Sequence, residues 1–253
     1  MAQTSGSEAF DLKRFGDSLT GLAPHEILAR AAQRFPRITF ATGFGVEGCV
    51  VIDVIARSGL RIDLFTLETG LLFPETHELW RRLEERYKVT IRAELPERTV
   101  PEQAGEFGDR LWDRAPDLCC GMRKVAPLRR ALENFDAWVS AIRRDQTPER
   151  SNVPIVQWDH KFELVKVSPL ALWSSDEVWS YVRQHDVPFN PLHERGYPSI
   201  GCTPCTSPVF AGEDPRAGRW RGREKRECGI HGRPERQQLT SYRKQRSNHV
   251  PIG

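Results

Sequence analysis

The sequence lacks any long apolar run and has few cysteines for its length. Six cysteines in 253 residues are too few, and too clustered, for a small disulfide-stapled domain. No segment approaches eighteen uncharged apolar residues, and the N-terminal stretch MAQTSGSEAFDLKRFGDS has no basic start followed by an apolar run. We therefore expect no membrane insertion or export. The cysteines then predict metal or redox chemistry in a reducing compartment, the cytoplasm.

The sequence also lacks internal repeats and low-complexity blocks, and its formal charge is only +3. That small value hides an uneven distribution, because residues 216–246 hold eleven Lys and Arg against three Glu, a net +8, which leaves about −5 for the rest. A basic segment can bind nucleic acid or bring cations to a small anionic ligand. Charge alone favours the simpler alternative, a solvated surface segment.

Short apolar runs alternate with amphipathic helical runs along the first two thirds of the chain. The strand-like runs are RITFATGFG, RIDLFTLETG, KVTIRAEL, DAWVSAIRR and FELVKVSPL. The helical runs are PHEILARAAQRF, VEGCVVIDVIARSG, PETHELWRRLEERY, GMRKVAPLRRALENF and SSDEVWSYVRQHD, the last capped by Ser174 or Ser175. This alternation predicts an α/β fold with a mostly parallel sheet flanked by helices.

The composition changes after residue 201. We expect residues 1–201 to form an α/β domain. Residues 202–253 are rich in Gly, Pro and Arg and show little periodicity. We expect them to form a loop-rich segment that folds over the sheet as part of the same structural unit, and that carries the CxxC pair, the basic stretch and Cys228.

The loop ATGFGVEG is the first candidate binding site, because ligands of open parallel sheets bind at the carboxyl ends of strands. It follows an apolar strand and opens a helix, so backbone amides at Gly43, Phe44 and Gly45 can cradle a phosphate beside Glu47. The loop matches neither the Walker A pattern nor GxGxxG. A plain strand-to-helix connection is therefore the simpler interpretation on motif grounds.

A second loop, TLETG, follows the next strand and lies on the same rim of the predicted sheet. It brings Glu68, Thr69 and Gly70 to that rim. Glu68 can accept a hydrogen bond from a ribose hydroxyl, or it can merely cap the next turn. The sequence favours neither role.

Four cysteines form a CC pair, Cys119 and Cys120, and a CxxC pair, Cys202 and Cys205. Structural zinc sites usually combine two CxxC units whose sulfurs converge on one ion, and adjacent cysteines converge poorly. Adjacent cysteines can instead ligate different irons of a cubane cluster. We therefore expect one [4Fe–4S] cluster, with a zinc tetrathiolate as the alternative.

The other two cysteines have different surroundings. Cys49 lies in the apolar stretch GCVVIDVI, so we expect a buried core residue. Cys228 lies in REKRECGIH, where neighbouring cations and His231 favour the thiolate and Glu227 opposes it. Because the thiolate is the form that attacks electrophiles, Cys228 is the candidate nucleophile.

The motifs GFGVEG, LETGLLFPET, CCGMRKVAPL, AIRRDQTPER, HERGYPSIGCTPCT and ECGIH together resemble the assimilatory adenylyl-sulfate (APS) reductases, relatives of the 3'-phosphoadenylyl-sulfate (PAPS) reductases. The resemblance covers about residues 25–231. Its most specific part is the combination of the CC and CxxC pairs with ECGIH. It implies the adenine-nucleotide alpha-hydrolase-like fold of the ATP pyrophosphatases, with residues 1–201 as the α/β nucleotide-binding domain.

The resemblance also implies a reaction, the reduction of APS to sulfite and AMP in sulfate assimilation and cysteine biosynthesis. Cys228 would attack the sulfate sulfur, AMP would leave, and an S-sulfocysteine would remain. A thioredoxin thiolate would then attack Cys228 and release sulfite. In this scheme the cluster is an electrostatic and structural element rather than an electron carrier.

Several cations receive roles from the same resemblance. Lys124, four residues after Cys120, would lie between cluster and substrate, and His231 would orient the substrate or the thiolate. The arginines that would hold the phosphosulfate are Arg143, Arg144, Arg216 and Arg219. For each arginine the alternative is an ordinary solvated surface position.

The sequence departs from the family pattern in two places. Gly43 stands where the family commonly has serine, so Thr42 or backbone amides would have to replace one hydroxyl contact. After His231 the chain continues as GRPERQQLTSYRKQRSNHVPIG, which has no cysteine and therefore no fused redox module. The implied thioredoxin is thus a separate partner. Disorder is expected for this basic extension, while a role in subunit contact, and hence a homo-oligomer, stays open.

Three alternatives remain at this point. The nearest is a PAPS reductase or a dual APS and PAPS reductase, although the four cluster cysteines favour APS because relatives dedicated to PAPS generally lack them. An ATP pyrophosphatase would leave ECGIH unexplained. A zinc-stabilised nucleic-acid-binding protein with a basic arm is the non-enzymatic alternative. We expect APS and thioredoxin as partners, and neither nucleic acid nor a membrane.

Overall fold

A computed structural model describes residues 11–231 of the chain. This part contains one sheet of six strands: β1 (Ile38–Thr42), β2 (Asp63–Leu67), β3 (Arg92–Glu94), β4 (Ala137–Val139), β5 (Val156–Asp159) and β6 (Leu164–Val167). The spatial order is β3-β2-β1-β4-β6-β5. Every neighbouring pair is parallel except β5 and β6, which run antiparallel at one edge. The mostly parallel sheet expected from the sequence is confirmed.

The described residues also form nine α-helices: α1 (Leu12–Ser18), α2 (Pro24–Arg34), α3 (Val46–Arg57), α4 (Pro74–Tyr87), α5 (Val100–Phe107), α6 (Leu111–Arg114), α7 (Pro116–Cys120), α8 (Ala126–Leu132) and α9 (Ser175–His185). A π-helical turn, Gly121–Val125, joins α7 to α8. The five helices expected from the sequence correspond to α2, α3, α4, α8 and α9. None of these nine helices is both long and apolar enough to cross a membrane.

The start of α9 shows how a local signal sets a helix boundary. Ser174 is its N-cap, with a hydroxyl that accepts the backbone N–H of Glu177 at 3.2 Å. The Glu177 carboxylate in turn accepts the backbone N–H of Ser174 at 2.7 Å, which completes a capping box. The helix ends at Asp186, whose left-handed conformation turns the chain away.

Alternate residues of the strands supply two hydrophobic clusters, one on each face of the sheet. Val139 and Val167 belong to the larger cluster, together with the apolar sides of α2, α3, α4 and α9. Trp138 and Leu164 belong to the smaller cluster, under α8. Helices therefore cover both faces, and the sheet is the middle of three layers.

The strand order reverses between β1 and β4. From β1 the chain proceeds outward through β2 to β3, and it then returns to the other side of β1 to form β4. Loops that leave β1 and β4 therefore diverge and open a crevice at the carboxyl ends of the strands. The loops that the sequence singled out follow β1, β2 and β4, so they meet at this crevice.

A buried carboxylate links three of the helices. Asp53 of α3 is 1% exposed and accepts hydrogen bonds from the hydroxyls of Tyr87 on α4, at 2.8 Å, and Tyr181 on α9, at 2.6 Å. Burial and this carboxylate raise the pKa of both tyrosines. The two phenols therefore stay protonated and act as donors, which stabilises the charge on Asp53.

We expect Asp53→Asn to lower the free energy of unfolding by about 2 kcal/mol, because two buried hydroxyls lose a charged acceptor. Urea denaturation at pH 7 measures the change. The matched control is Asp186→Asn, since Asp186 has a 95% exposed side chain and pairs only at the surface with Arg86. An unchanged stability for Asp53→Asn, or equal losses in the two variants, would contradict the prediction.

Candidate active site

The loop between β1 and α3 turns sharply at Phe44. This residue has φ of 56°, a left-handed conformation that is uncommon for a bulky side chain. Its N–H donates to the Thr42 hydroxyl at 3.1 Å, and its buried ring stacks on Trp80 with centroids 5.6 Å apart. The Thr42 hydroxyl therefore forms a hydrogen bond within the loop itself. Gly45 is the N-cap of α3, so the loop leads directly into the positive end of a helix dipole.

Glu47 ties this loop to the loop that follows β4. Its carboxylate accepts hydrogen bonds from Arg143 at 3.0 and 3.1 Å and from the Gln146 amide at 2.9 Å. Arg143 is 6% exposed and also pairs with Asp145. Arg144 instead extends along the surface, where its Nε donates to the carbonyl of Val153 at 2.8 Å. Both guanidinium groups after β4 are therefore bound to the protein itself.

The loop after β2 is a compact turn built on Glu68. The carboxylate accepts the N–H of Gly70 at 2.7 Å and lies 2.6 Å from Nε2 of His77. Gly70 has φ of 69°, and a Cβ there would lie 3.2 Å from the guanidinium of Arg123, so this position requires glycine. Glu68 is thus held in place by its own loop.

Thr69 connects the same turn to the cysteines. Its hydroxyl lies 3.3 Å from the sulfur of Cys202, and its carbonyl accepts a hydrogen bond from Arg123 Nε at 2.5 Å. Arg123 is buried and also donates to the Gln103 side chain at 3.0 Å. The rim of the sheet and the cysteine region therefore form one connected structure.

The four cysteines of the CC and CxxC pairs line a single cavity. Cys119 and Cys120 end α7, and Cys202 and Cys205 flank a short 3₁₀ turn. All four are free thiols. Burial raises the pKa of Cys119 to about 11 and that of Cys120 to about 12. Thiols in such surroundings ionise only when a cation or a metal stabilises the thiolate.

The same thiols do not converge as ligands of one ion would. Within residues 11–231 no three His, Cys, Asp or Glu side chains lie close enough together to hold a single metal ion. A cation does lie beside them, because Lys124 lines the cavity as well. The donor set is therefore four neighbouring thiols with a lysine at their edge.

Lys124 lies in the π-helical turn between α7 and α8, where a regular α-helix was expected. Single π-helical turns occur frequently at functional sites. Burial lowers the pKa of Lys124, but its charge interactions with Cys202, Cys228 and Cys120 raise that pKa more, to a value above the ordinary one. Lys124 is therefore cationic, and it is close to two of the cavity cysteines, Cys120 and Cys202, as well as to Cys228.

Cys228 is half-buried among cations. Burial raises the pKa of its thiol, but Lys124, the backbone N–H of Ile230 and Arg219 lower it more, to a value below the ordinary one. Glu227 acts in the opposite direction. The net effect favours the thiolate, so the structure gives Cys228 the electrostatic surroundings of a nucleophile.

Glu227, next to the nucleophile, forms ion pairs with two arginines. Its carboxylate accepts hydrogen bonds from Arg150 at 2.9 and 3.1 Å and from Arg216 at 3.3 Å. Arg216 also donates to Ser199 at 3.3 Å. The sequence did not single out Arg150, since nothing in its local context distinguishes it from a surface arginine. We call these three residues, Glu227, Arg150 and Arg216, the carboxylate clamp.

Arg219 lies against the loop that precedes the CxxC pair. Its guanidinium donates to the Ser199 hydroxyl and the Ile200 carbonyl, both at 3.4 Å, and lies 4.5 Å above the Trp220 ring. Its Nε is buried and has no hydrogen-bond partner among the described residues. An unsatisfied buried donor of a cation indicates an anion site.

His231 marks the end of the described chain and lies against the sheet. Its ring stacks on Trp138 at a centroid distance of 5.9 Å, and its Nδ1 lies 3.2 Å from the ammonium of Lys166. Lys161 donates to the carbonyl of Gly229 in the same segment. The basic extension after His231 lies outside the described residues.

Two buried serines at the same edge were not anticipated from the sequence. Ser140 follows β4 and Ser168 follows β6, and both are at most 2% exposed. Neither hydroxyl has a partner among residues 11–231. Buried hydroxyls without partners at the carboxyl ends of parallel strands indicate a polar ligand. The signal in the sequence that could have indicated these residues is a serine directly after β4 and another directly after β6.

We expect Glu227→Gln to increase the rate at which iodoacetamide alkylates Cys228 by about fivefold at pH 7. The carboxylate raises the pKa of Cys228, so its removal lowers that pKa and increases the thiolate fraction. Mass spectrometry of the peptide that contains Cys228 measures the rate. Glu224→Gln, at an exposed position of the same segment, is the control and should leave the rate unchanged. Slower alkylation of the Glu227 variant would refute the expected electrostatic effect.

Comparison with known proteins gives consistent matches. Residues 37–208 match the phosphoadenosine phosphosulfate reductase domain. The chain is 48% identical over 196 residues to adenosine 5'-phosphosulfate reductase 1 of Bacillus subtilis (strain 168), which covers 77% of this chain and 84% of that protein. It is 43% identical over 230 residues to phosphoadenosine 5'-phosphosulfate reductase of Gloeobacter violaceus, and that match covers 89% of this chain and 95% of the relative.

Among solved structures, the chain is similar to phosphoadenylyl-sulfate (PAPS) reductase from Candida auris in a phosphate complex. The two share 29% sequence identity, and their structures align with a TM-score of 0.71. The match covers 81% of this chain and 100% of the Candida auris chain. This similarity confirms the fold class expected from the sequence.

Proposed function

We propose, for a chain that belongs to the phosphoadenosine phosphosulfate reductase family, that the protein reduces APS to sulfite and AMP with thioredoxin as the reductant. The resemblance found in the motifs is thereby confirmed at the level of the family. The observation that carries the proposal is the position of Cys228, a thiol whose pKa is lowered by Lys124 and Arg219. The protein is accordingly an oxidoreductase that acts on a sulfur group.

The first step forms a bond between two sulfurs. The Cys228 thiolate attacks the sulfur of the phosphosulfate anhydride, the S–O bond to AMP breaks, and AMP leaves with the electron pair of that bond. The product on the protein is an S-sulfocysteine. A lowered pKa of Cys228 supports this step, because only the thiolate is a competent nucleophile.

The cations around Cys228 serve the leaving group. Negative charge grows on the bridging oxygen as AMP departs, and fixed cations lower the barrier most when they already point at that position. Lys124 lies beside the nucleophile, Arg219 has an unpaired Nε, and Arg150 and Arg216 converge on one anion, the Glu227 carboxylate. We assign phosphosulfate binding to these cations. Arg143 and Arg144 are further candidates for phosphosulfate binding, and both are hydrogen-bonded to protein groups, as Arg150 and Arg216 are.

Cys119, Cys120, Cys202 and Cys205 would hold a [4Fe–4S] cluster. Their shared cavity supports this assignment, because in a cubane four thiolates bind four different irons and need not converge on one ion. The group would add a structural cross-link and a local electrostatic field. Lys124, at the edge of the cavity, would separate that group from Cys228.

Thioredoxin completes the cycle. Its thiolate attacks the Cys228 sulfur, sulfite leaves, and the mixed disulfide that results is resolved by the second thiol of the partner. Cys228 is half-buried and directly follows Glu227 of the carboxylate clamp, so we expect the segment around it to open for this step. Free thiols at all six cysteines support a reducing compartment, and we place the reaction in the cytoplasm.

The test is sulfite release by anaerobically purified protein that receives thioredoxin and either APS or PAPS. We expect sulfite from APS. Sulfite from PAPS alone would instead assign PAPS reduction to this protein, the activity in the name of the Gloeobacter violaceus relative. No sulfite from either nucleotide would overturn the proposal. Omission of thioredoxin is the control, and it should limit the yield to at most one AMP released per protein chain.

A further inference from the structure

Lys166 is a buried lysine inside the sheet. It lies on β6, flanked by β4 and β5, and is 2% exposed. Lysine is almost never fully buried unless its charge is compensated. Within residues 11–231 no carboxylate lies within ion-pair distance of its ammonium, which instead contacts two rings. It lies 4.8 Å above the Trp138 ring and 3.2 Å from Nδ1 of His231.

The surroundings keep His231 uncharged. Burial lowers the pKa of this imidazole well below its ordinary value, and the cations that face it lower it further. Those cations are Lys166 from β6, Arg150, Arg216 and Lys161. The ring also stacks on Trp138, almost parallel to it at 8°. A neutral imidazole is therefore the form that docks on the sheet at neutral pH.

Lys166 itself titrates in an accessible range. Burial lowers its pKa to about 8; Asp159 on β5, Glu227 and Cys228 raise it, while Arg150 lowers it. At pH 7 the side chain is therefore mainly an ammonium. An ammonium group has three hydrogen-bond donors and no acceptor.

The neutral state of His231 and the ammonium state of Lys166 together determine which imidazole nitrogen carries the hydrogen. A neutral imidazole has one donor nitrogen and one acceptor nitrogen, and which is which depends on the neighbour. Because the ammonium can only donate, Nδ1 of His231 must accept, and the ring hydrogen must be on Nε2.

We propose that Lys166 is a positioning residue that fixes the Nε2–H tautomer of His231 and holds its ring on Trp138, three residues from the nucleophile Cys228. The contacts among the three side chains carry the proposal. Its use in catalysis rests on the proposed function. An Nε2–H group donates a hydrogen bond to an anionic phosphosulfate or thiolate, whereas the other tautomer would present a lone pair to that anion.

Nitrogen-15 NMR of the full-length protein, labelled at histidine, tests the proposal directly. A His231→Gln sample assigns the signals. At pH 7 we expect His231 with hydrogen on Nε2 and none on Nδ1. The preference should fade as pH rises through the titration of Lys166 near 8, because a neutral amine can accept a hydrogen bond. A wild-type spectrum with hydrogen on Nδ1 at pH 7 would overturn the proposal.

Variants separate this role from simple packing. Lys166→Met should lose the tautomer preference, and Lys166→Arg, which keeps an obligate donor, should retain it even above pH 8. Lys161→Met is the matched control, because it removes another of the cations that face His231, one that donates to the carbonyl of Gly229. An unchanged His231 spectrum in folded Lys166→Met would refute the assignment, and the wild-type pH titration decides the question if that variant does not fold.

Kinetics then link the tautomer to the reaction. Lys166→Met should lower kcat for sulfite release by about 10-fold or more, the usual effect of removing a group that orients a functional histidine. Lys166→Arg should recover most of that loss. If Lys166→Met and Lys166→Arg both fold and lose kcat equally, Lys166 acts only by packing. Wild-type protein with the expected spectrum but no sulfite release would refute the proposed function and leave the tautomer assignment standing.

Discussion

Cys228→Ser is expected to abolish sulfite release, with a loss on the order of 10⁴-fold or more, as for removal of a catalytic nucleophile in other enzymes. A serine hydroxyl next to Lys124 and Arg219 remains protonated near neutral pH, so it cannot replace the thiolate that the structure favours. The measurement is sulfite formed from APS and thioredoxin under anaerobic conditions. A residual rate within about 10-fold of wild type would refute the nucleophilic role.

Two observations separate this effect from misfolding. AMP binding should be unchanged in Cys228→Ser, and wild-type protein treated with APS but no thioredoxin should gain the mass of one SO₃ group, which the variant should not. The matched control is Cys49→Ser. Cys49 is fully buried on α3, and burial raises the pKa of its thiol, so it is no nucleophile and its replacement should preserve activity.

Cys202→Ser is expected to prevent binding of the proposed [4Fe–4S] cluster, and so to remove the brown colour that the cluster would give and the activity. Each iron of a cubane takes one protein thiolate, and the neutral hydroxyl of serine is a poor substitute. Cys202 is also a structural contact, because its sulfur lies 3.3 Å from the Thr69 hydroxyl. Iron, acid-labile sulfide and zinc contents are measured together with visible absorbance.

The metal analysis of wild-type protein decides between the two tetrathiolate hypotheses. Iron and sulfide in equal amounts support the cluster, while stoichiometric zinc without iron would refute it. Cys49→Ser again provides the control and should retain the full metal content, since Cys49 lies outside the cavity that the four cysteines line.

Much of the fold could be predicted because its strands and helices carry local patterns. Buried parallel strands such as β1 and β2 are apolar runs between turn residues, and α4 and α9 are amphipathic. The edge strand β5 escaped prediction because its four residues acquire their pairing only from β6. The start of α5 also carries a local signal, the capping box of Thr99 and Glu102.

The site was predictable only where its chemistry is local. The cysteine pairs and Cys228 are visible as short motifs, because cysteine is rare in this chain. Contacts such as Arg150 to Glu227, 77 residues apart, and Lys166 to His231, 65 residues apart, leave no periodic trace in the sequence. The π-helical turn at Lys124 was hidden too, since its residues also suit an ordinary α-helix.

The carboxylate clamp and the contact of His231 with Lys166 also bear on the order of folding. The segment that carries Cys228 is tied to partners 65 to 77 residues earlier in the chain, among them Lys166 on β6. Closing long loops costs entropy before any contact compensates for it. Because Lys166 is a residue of the sheet, this segment can dock only after β6 has joined the sheet. Because Lys124 and Arg219 lower the pKa of Cys228 only after docking, a reactive thiolate arises at the end of folding and not on a partly folded chain.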